Sequence, residues 1–207
     1  MVQEDERIAP LREFVQQMTR LVQSTQDEAA LMRASRPLLA TLIADDGWLP
    51  EPCTRTHPQY YQQYLLHCDP LERFSLVSFV WGPGQRTPVH DHGVWGLIGM
   101  LRGAELGQRY RIADDGRLQP DGEEQRLDPG DIEAVSPSLG DIHRVANAYQ
   151  DAPSISIHLY GANIGAVARH VFDPETGAPK PFVSGYTSAE VPNLWDRSAT
   201  IRRVLTA

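Results

Sequence analysis

Between Arg73 and Tyr160 the chain passes through one short strand-like segment after another with no helical stretch between them: RFSLVSFVW, WGLIGMLR, LGQRYRI, DIEAV, HRVAN and SISIHLY. Turn-forming clusters separate them, among them WGPGQ, ADDG, DPGD and SPSLGD, each built on Gly, Pro or Asp. RFSLVSFVW sets Phe74, Leu76, Ser78 and Val80 against Ser75, Val77, Phe79 and Trp81, with aromatic and β-branched residues prominent. Many short strands without crossover helices imply a mainly β fold, a barrel or sandwich.

The flanks differ from this middle. From Ile8, the residues Leu11, Phe14, Val15, Met18, Leu21 and Val22 recur at helical steps and predict an amphipathic helix. Thr25 followed by Glu28 reads as a capping box opening a second helix, which Pro37 is expected to break or restart before Leu38 to Ile43. The tail from Phe172, with DPETGAPKPF, reads as an extended wrap carrying one last strand. At 207 residues the chain suits a single domain, with N-terminal helices in 1–50, a barrel core in 71–165 and a C-terminal wrap in 166–207.

The net charge of -8 and a pI near 5.3, with no clustered Lys and Arg, argue against nucleic-acid binding. No apolar stretch approaches membrane-spanning length, and the start, MVQEDERIAPLREF, does not resemble a secretory signal, so a cytoplasmic protein without membrane contact is expected. Cys53 and Cys68 are too few for a disulfide scaffold, lack CxxC spacing and are expected to be reduced.

The stretch TPVHDHGVWGLIGMLRGAE carries the chemistry. On a strand, residues two apart point to the same side, so His90 and His92 can aim at one point while Asp91 faces away. A third histidine, His143, opens a strand in GDIHRVAN. Three imidazoles on one face of a divalent ion leave its other positions open, as catalysis requires.

Gly84, His90, His92, Gly96 and Gly103 in that order resemble the first motif of the cupin superfamily, and Gly130, Pro137, Gly140, His143 and Asn147 resemble the second, a resemblance that implies a mainly β, cupin-type jelly-roll barrel behind the N-terminal helices. Most metal cupins carry Glu where this chain has Gly96. The ligand set implied is therefore three neutral histidines, and an ion that keeps its full charge favours anionic ligands such as a thiolate.

In SISIHLY, alternation puts Ser154, Ser156, His158 and Tyr160 on one face and Ile155, Ile157 and Leu159 on the other. The apolar face is expected to pack outward, beneath the helices or a partner sheet. The polar face, looking into the barrel, can form a hydrogen-bonded relay.

HDH, the histidine of GDIHRV and the Ser-x-His-x-Tyr strand together resemble the cysteine dioxygenase family of thiol dioxygenases. The resemblance implies a mononuclear iron(II), Fe(2+), enzyme that adds both atoms of O2 to a small thiol to give a sulfinic acid. It implies that His90, His92 and His143 bind iron, and that Ser156, His158 and Tyr160 form the relay.

Mammalian-type members crosslink a cysteine to the relay tyrosine, but Gly96 stands at the matching position and no such bond can form. Members specific for cysteine carry Arg in a Tyr-x-Arg segment, whereas Gln63 follows Tyr61 here. The chain thus resembles the glutamine type, typified by 3-mercaptopropionate dioxygenases. A thiol carboxylate still needs a cation, and Arg169 is the candidate; Tyr61 either lines the same pocket or packs against the barrel.

The expected partners are a small thiol and O2, with L-cysteine the next substrate after 3-mercaptopropionate, and the protein is expected to be a monomer or weak homo-oligomer. The histidines His57, His67 and His170 are read as surface or packing residues, Trp81 and Trp95 as barrel packing, and GEEQ and ADDG as solvated hairpin turns. Two other functions fit a metal cupin: a zinc or manganese sugar isomerase or epimerase, and a non-catalytic small-ligand-binding domain. Gly96 and the acidic balance oppose the first, and the relay strand opposes the second.

Overall fold

A computed structural model describes residues 7–188 and 198–206. Two helices, α1 (Ala9–Ser24) and α2 (Glu28–Ile43), precede a 3-10 turn at Glu51–Thr54 and eleven strands. The strands are β1 (Gln62–Cys68), β2 (Ser75–Trp81), β3 (Gly96–Arg102), β4 (Glu105–Ile112), β5 (Leu118–Pro120), β6 (Gln125–Leu127), β7 (Ile132–Val135), β8 (His143–Asn147), β9 (Ser154–Tyr160), β10 (Arg169–Phe172) and β11 (Pro179–Phe182). A last helix, α3, covers Ser198–Leu205.

The expected mainly β fold with helices in front is what forms. One antiparallel sheet has the order β1-β2-β9-β3-β7. In the other, β4 pairs with β8 along one edge and with β6 and β5 along the other. An isolated bridge joins His90 to His143 and another joins His90 to Val171, which links β8 to the β10-β11 ribbon. Among the described residues, no helix is long and apolar enough to cross a membrane.

Strand β9 decides the layering. It is buried along its whole length, on the polar face as well as the apolar one. Ile155, Ile157 and Leu159 enter the core that β2 and β3 share with Leu39, Leu42 and Ile43 of α2 and with Phe14 and Met18 of α1. A Cβ on Gly99 would lie 3.0 Å from Ile43 Cδ1, so a residue without a side chain lets α2 approach β3 closely. On the inner side, Val77, Phe79, Trp81, Val145, Tyr160 and Ile164 form a second cluster.

Several local expectations change. The cap of α2 is Asp27, whose carboxylate accepts from Ala30 N at 2.7 Å, while Thr25 Oγ1 accepts from Asp27 N; the short, extended Asp27 reaches the first free amides better than a Thr25–Glu28 box. Pro37 lies inside an uninterrupted α2. Its missing amide costs one intrahelical bond, offset by the buried face of Leu31, Ser35, Leu39, Leu42 and Ile43. The tail ends in a helix as well as a wrap: Arg202 of α3 donates to Val183 O and Ser184 O, docking it on the chain after β11. The final strand expected in the tail is β11; residues 189–197 lie outside the described residues.

Candidate metal centre

His90, His92 and His143 converge although only His143 lies on a regular strand. His90 makes only isolated bridges, and His92 sits in an irregular segment before Gly93, whose φ of +67° suits glycine. Their donor atoms lie within 4.8 Å of one another, and ring centroids are 5.0 Å apart for His90 and His92 and 4.8 Å for each of them with His143.

Hydrogen bonds fix the ring orientations. His90 Nδ1 lies 3.1 Å from Pro88 O and His92 Nδ1 lies 2.9 Å from Asp141 Oδ1, which leaves each Nε2 free for an ion. Asp141 also accepts from the backbone amides of His92 and Gly93. His143 Nδ1 is buried without a hydrogen-bond partner. Burial, then the neighbouring imidazoles, hold His90 and His143 well below the usual histidine range, so both are neutral and ready to ligate. Close, neutral, pre-oriented donors fit a divalent metal ion.

Asp141 went unrecognised in the sequence. Its one signal was position, a carboxylate two residues before a ligand-type histidine. Asp91 has an analogous part: its carboxylate faces His170, accepting from His170 N at 2.6 Å and lying 2.9 Å from His170 Nδ1. His170, read as a packing or surface residue, therefore ties the HDH segment to β10.

The inner face of β9 closes into a chain beside the histidines. Ser156 Oγ lies 2.8 Å from His158 Nε2, and His158 Nδ1 lies 2.8 Å from the hydroxyl of Tyr160. His158 stacks on Phe79 with centroids 4.0 Å apart, and Tyr160 stacks on His92 at 5.6 Å. Burial, followed by the charges of the neighbouring histidines and Arg169, depresses the pKa of His158, while burial raises that of Tyr160. Both are neutral.

Arg169 is a buried residue of β10, 5% exposed, and not part of a helical surface turn. It donates to Ile164 O and to Ser184 Oγ, packs its guanidinium over Phe182 at 4.9 Å, and leaves Nε without a partner. Among the described residues no carboxylate forms an ion pair with it. Its positive charge acts on Tyr61, Tyr160, His90 and His158.

Tyr61 packs at the inner cluster, stacked on Trp81 at 4.8 Å. Gln63 is opposite Phe79 in the β1-β2 register, and its Oε1 is buried without a donor. Backbone and hydroxyl bonds with Thr187 hold it to the segment that also supplies Ser184. His67 packs at a tilt against Phe74 and His57 stacks on Tyr60, so neither joins the three-histidine cluster.

An antiparallel barrel whose inner wall gathers three histidines within ligating distance of one point defines a metal-binding cupin. The cysteine dioxygenase type I family model matches residues 58–173, and the chain belongs to that family. It is similar to cysteine dioxygenase type 1 of Danio rerio, 29% identical over 109 residues covering 51% of this chain and 52% of that protein. It is also similar to that of Homo sapiens, 28% identical over 107 residues with the same coverage. The match thus spans about half the length of these relatives. Similar solved structures include a cupin superfamily protein of Desulfitobacterium hafniense, 14% identical with a TM-score of 0.41 over 60% of this chain and 87% of that one. A double-stranded β-helix protein of Klebsiella pneumoniae has 15% identity and a TM-score of 0.43 over 65% of this chain and 87% of that one.

Proposed function

We propose that this chain is an iron(II)-dependent thiol dioxygenase that converts a small thiol carboxylate and O2 into a sulfinate, with 3-mercaptopropionate preferred over L-cysteine. The observation that carries the substrate class is Arg169. A buried guanidinium with no carboxylate partner among the described residues is costly to leave unpaired and complementary to an anionic substrate. The absence of an acid among the three histidines leaves a bound ion cationic enough to hold a thiolate as well.

His90, His92 and His143 would hold the iron, which when bound supplies the positions and electrons for dioxygen activation. The chain's residues do the rest. Arg169 binds the substrate carboxylate, and the amide of Gln63 offers it a second, uncharged donor. Tyr61 and Phe79 wall the pocket and keep water out. The hydroxyl of Tyr160, held by His158 and Ser156, orients the reacting sulfur and oxygen. Thiolate plus O2 gives sulfinate with both oxygen atoms retained, so no outside reductant is needed.

The test is oxygen uptake by anaerobically iron(II)-loaded protein with 3-mercaptopropionate, L-cysteine and cysteamine in parallel, with mass spectrometry of the products. Sulfinate from 3-mercaptopropionate at the highest kcat/KM is expected. Preference for cysteine would overturn the role given to Gln63, and no uptake with any of the three would overturn the dioxygenase reading.

A further inference from the structure

Glu105 begins β4 and is 1% exposed, yet neither carboxylate oxygen closes a hydrogen bond. Its neighbours are in the same condition: Trp81 Nε1 and Ser154 Oγ are also buried without partners. Trp81 and Ser154 are opposite each other in the β2-β9 register, and Ser156 is the next inward residue on β9. Burial raises the pKa of the Glu105 carboxyl, and the polar groups of Ser156 and Trp81 lie near enough to lower it in part without closing a hydrogen bond. A carboxyl therefore faces the inner end of the Ser156–His158–Tyr160 chain, in a cluster of polar atoms that the fold leaves unsatisfied.

We propose that Glu105 is a positioning residue that ends this chain and sets its hydrogen-bond direction. The inventory of donors allows two states. When Glu105 is protonated it donates to Ser156 Oγ; Ser156 then donates to His158 Nε2, His158 Nδ1–H donates to the Tyr160 oxygen, and the Tyr160 proton is free to point into the metal pocket. When Glu105 is ionised, every bond reverses. Ser156 donates to the carboxylate, His158 Nε2–H donates to Ser156, and Tyr160 must donate to His158 Nδ1, which takes its proton away from the pocket.

Burial pushes the Glu105 carboxyl up to about 7, so both states are accessible near neutrality. The charged group acting on it is Glu133 of β7, itself paired with Arg109 at 3.0 Å. From β9 the titratable groups are His158 and Tyr160, both neutral; from β2, β8 and β6 come Trp81, Asn147 and Leu127, none of which titrates.

The consequence at Tyr160 rests on the dioxygenase reading, but the test does not. Metal-free protein labelled with 15N-histidine reports the His158 tautomer by long-range 1H–15N spectra, assigned by the signal lost in His158→Gln. The wild type is expected to change from the Nδ1–H to the Nε2–H tautomer as pH rises through the Glu105 titration. Glu105→Gln, which can accept from Trp81 and donate to Ser156 at every pH, is expected to hold the Nδ1–H tautomer throughout. A wild-type tautomer that stays constant overturns the proposal even if the variant fails to fold, and so does a Glu105→Gln protein that still switches. Failure of thiol oxidation with an intact tautomer switch would remove only the dioxygenase reading.

Discussion

Gly96 and Tyr160 are opposite each other across β3 and β9, and a Cβ on Gly96 would lie 2.8 Å from Tyr160 Cδ1 and 3.0 Å from Cε1. The tyrosine ring therefore rests directly on the glycine backbone, at the position where crosslinked relatives have a cysteine. Gly96→Ala should push the ring off this seat at a cost of about 1–3 kcal/mol. A lower melting temperature, retained metal and a weakened oxidation rate are expected; unchanged melting and rate would show that the ring can move without consequence.

Asp141 orients His92 through its Nδ1 and holds the following turn through two amides. Asp141→Asn keeps the shape but cannot accept at both positions as strongly. Loss of such a carboxylate–histidine contact costs roughly 10–100-fold in metal affinity. Competition with a chelator of known affinity measures this, and an unchanged dissociation constant would remove Asp141 from the site.

Arg169→Met should raise KM for 3-mercaptopropionate far more than it lowers kcat. A lost charge-assisted contact of about 1.5–3 kcal/mol corresponds to a drop of roughly 10–100-fold in kcat/KM. Cysteamine, which has no carboxylate, should lose little. Equal losses on both thiols would mean that the arginine supports the barrel and does not bind substrate.

Tyr160→Phe should keep the bound metal, since the ring still stacks on His92, but lose the hydroxyl held by His158. His92→Ala should lose the metal itself. Metal content and turnover measured together separate the two roles.

Asp69 accepts from Leu71 N, Arg73 N and the Arg73 guanidinium, and the bond to Arg73 holds its carboxyl below the usual range. A depressed carboxyl pKa stabilises the fold above the unfolded-state value and loses that contribution as pH falls through the folded-state value. Asp69→Asn should therefore melt lower than the wild type at neutral pH, with the gap closing in acid below about pH 4.

The strands that matter most were legible because β2, β3, β4, β7, β8 and β9 carry strong β-forming patterns bounded by turn residues. β1 escaped because QQYLLHC mixes polar and apolar residues without alternation, and β5 and β6 because three residues are too few to show a periodicity. Pairing with longer neighbours makes them strands. In the site, the histidines and the relay were readable as fixed local spacings, although the irregular backbone at His92 was not. Asp141 and Glu105 were hidden because their meaning depends on which strands lie side by side.

Strand β9 carries the relay on one face and the helix-facing core on the other, so its chemistry is a matter of phase. Shifting it by one residue relative to β2 and β3 would present Ile157 and Leu159 to the metal pocket and bury His158 under α2. A substitution in this strand alters one contact, but a one-residue insertion or deletion exchanges catalyst for packing along its whole length. The strand should therefore tolerate changes in composition far better than changes in length.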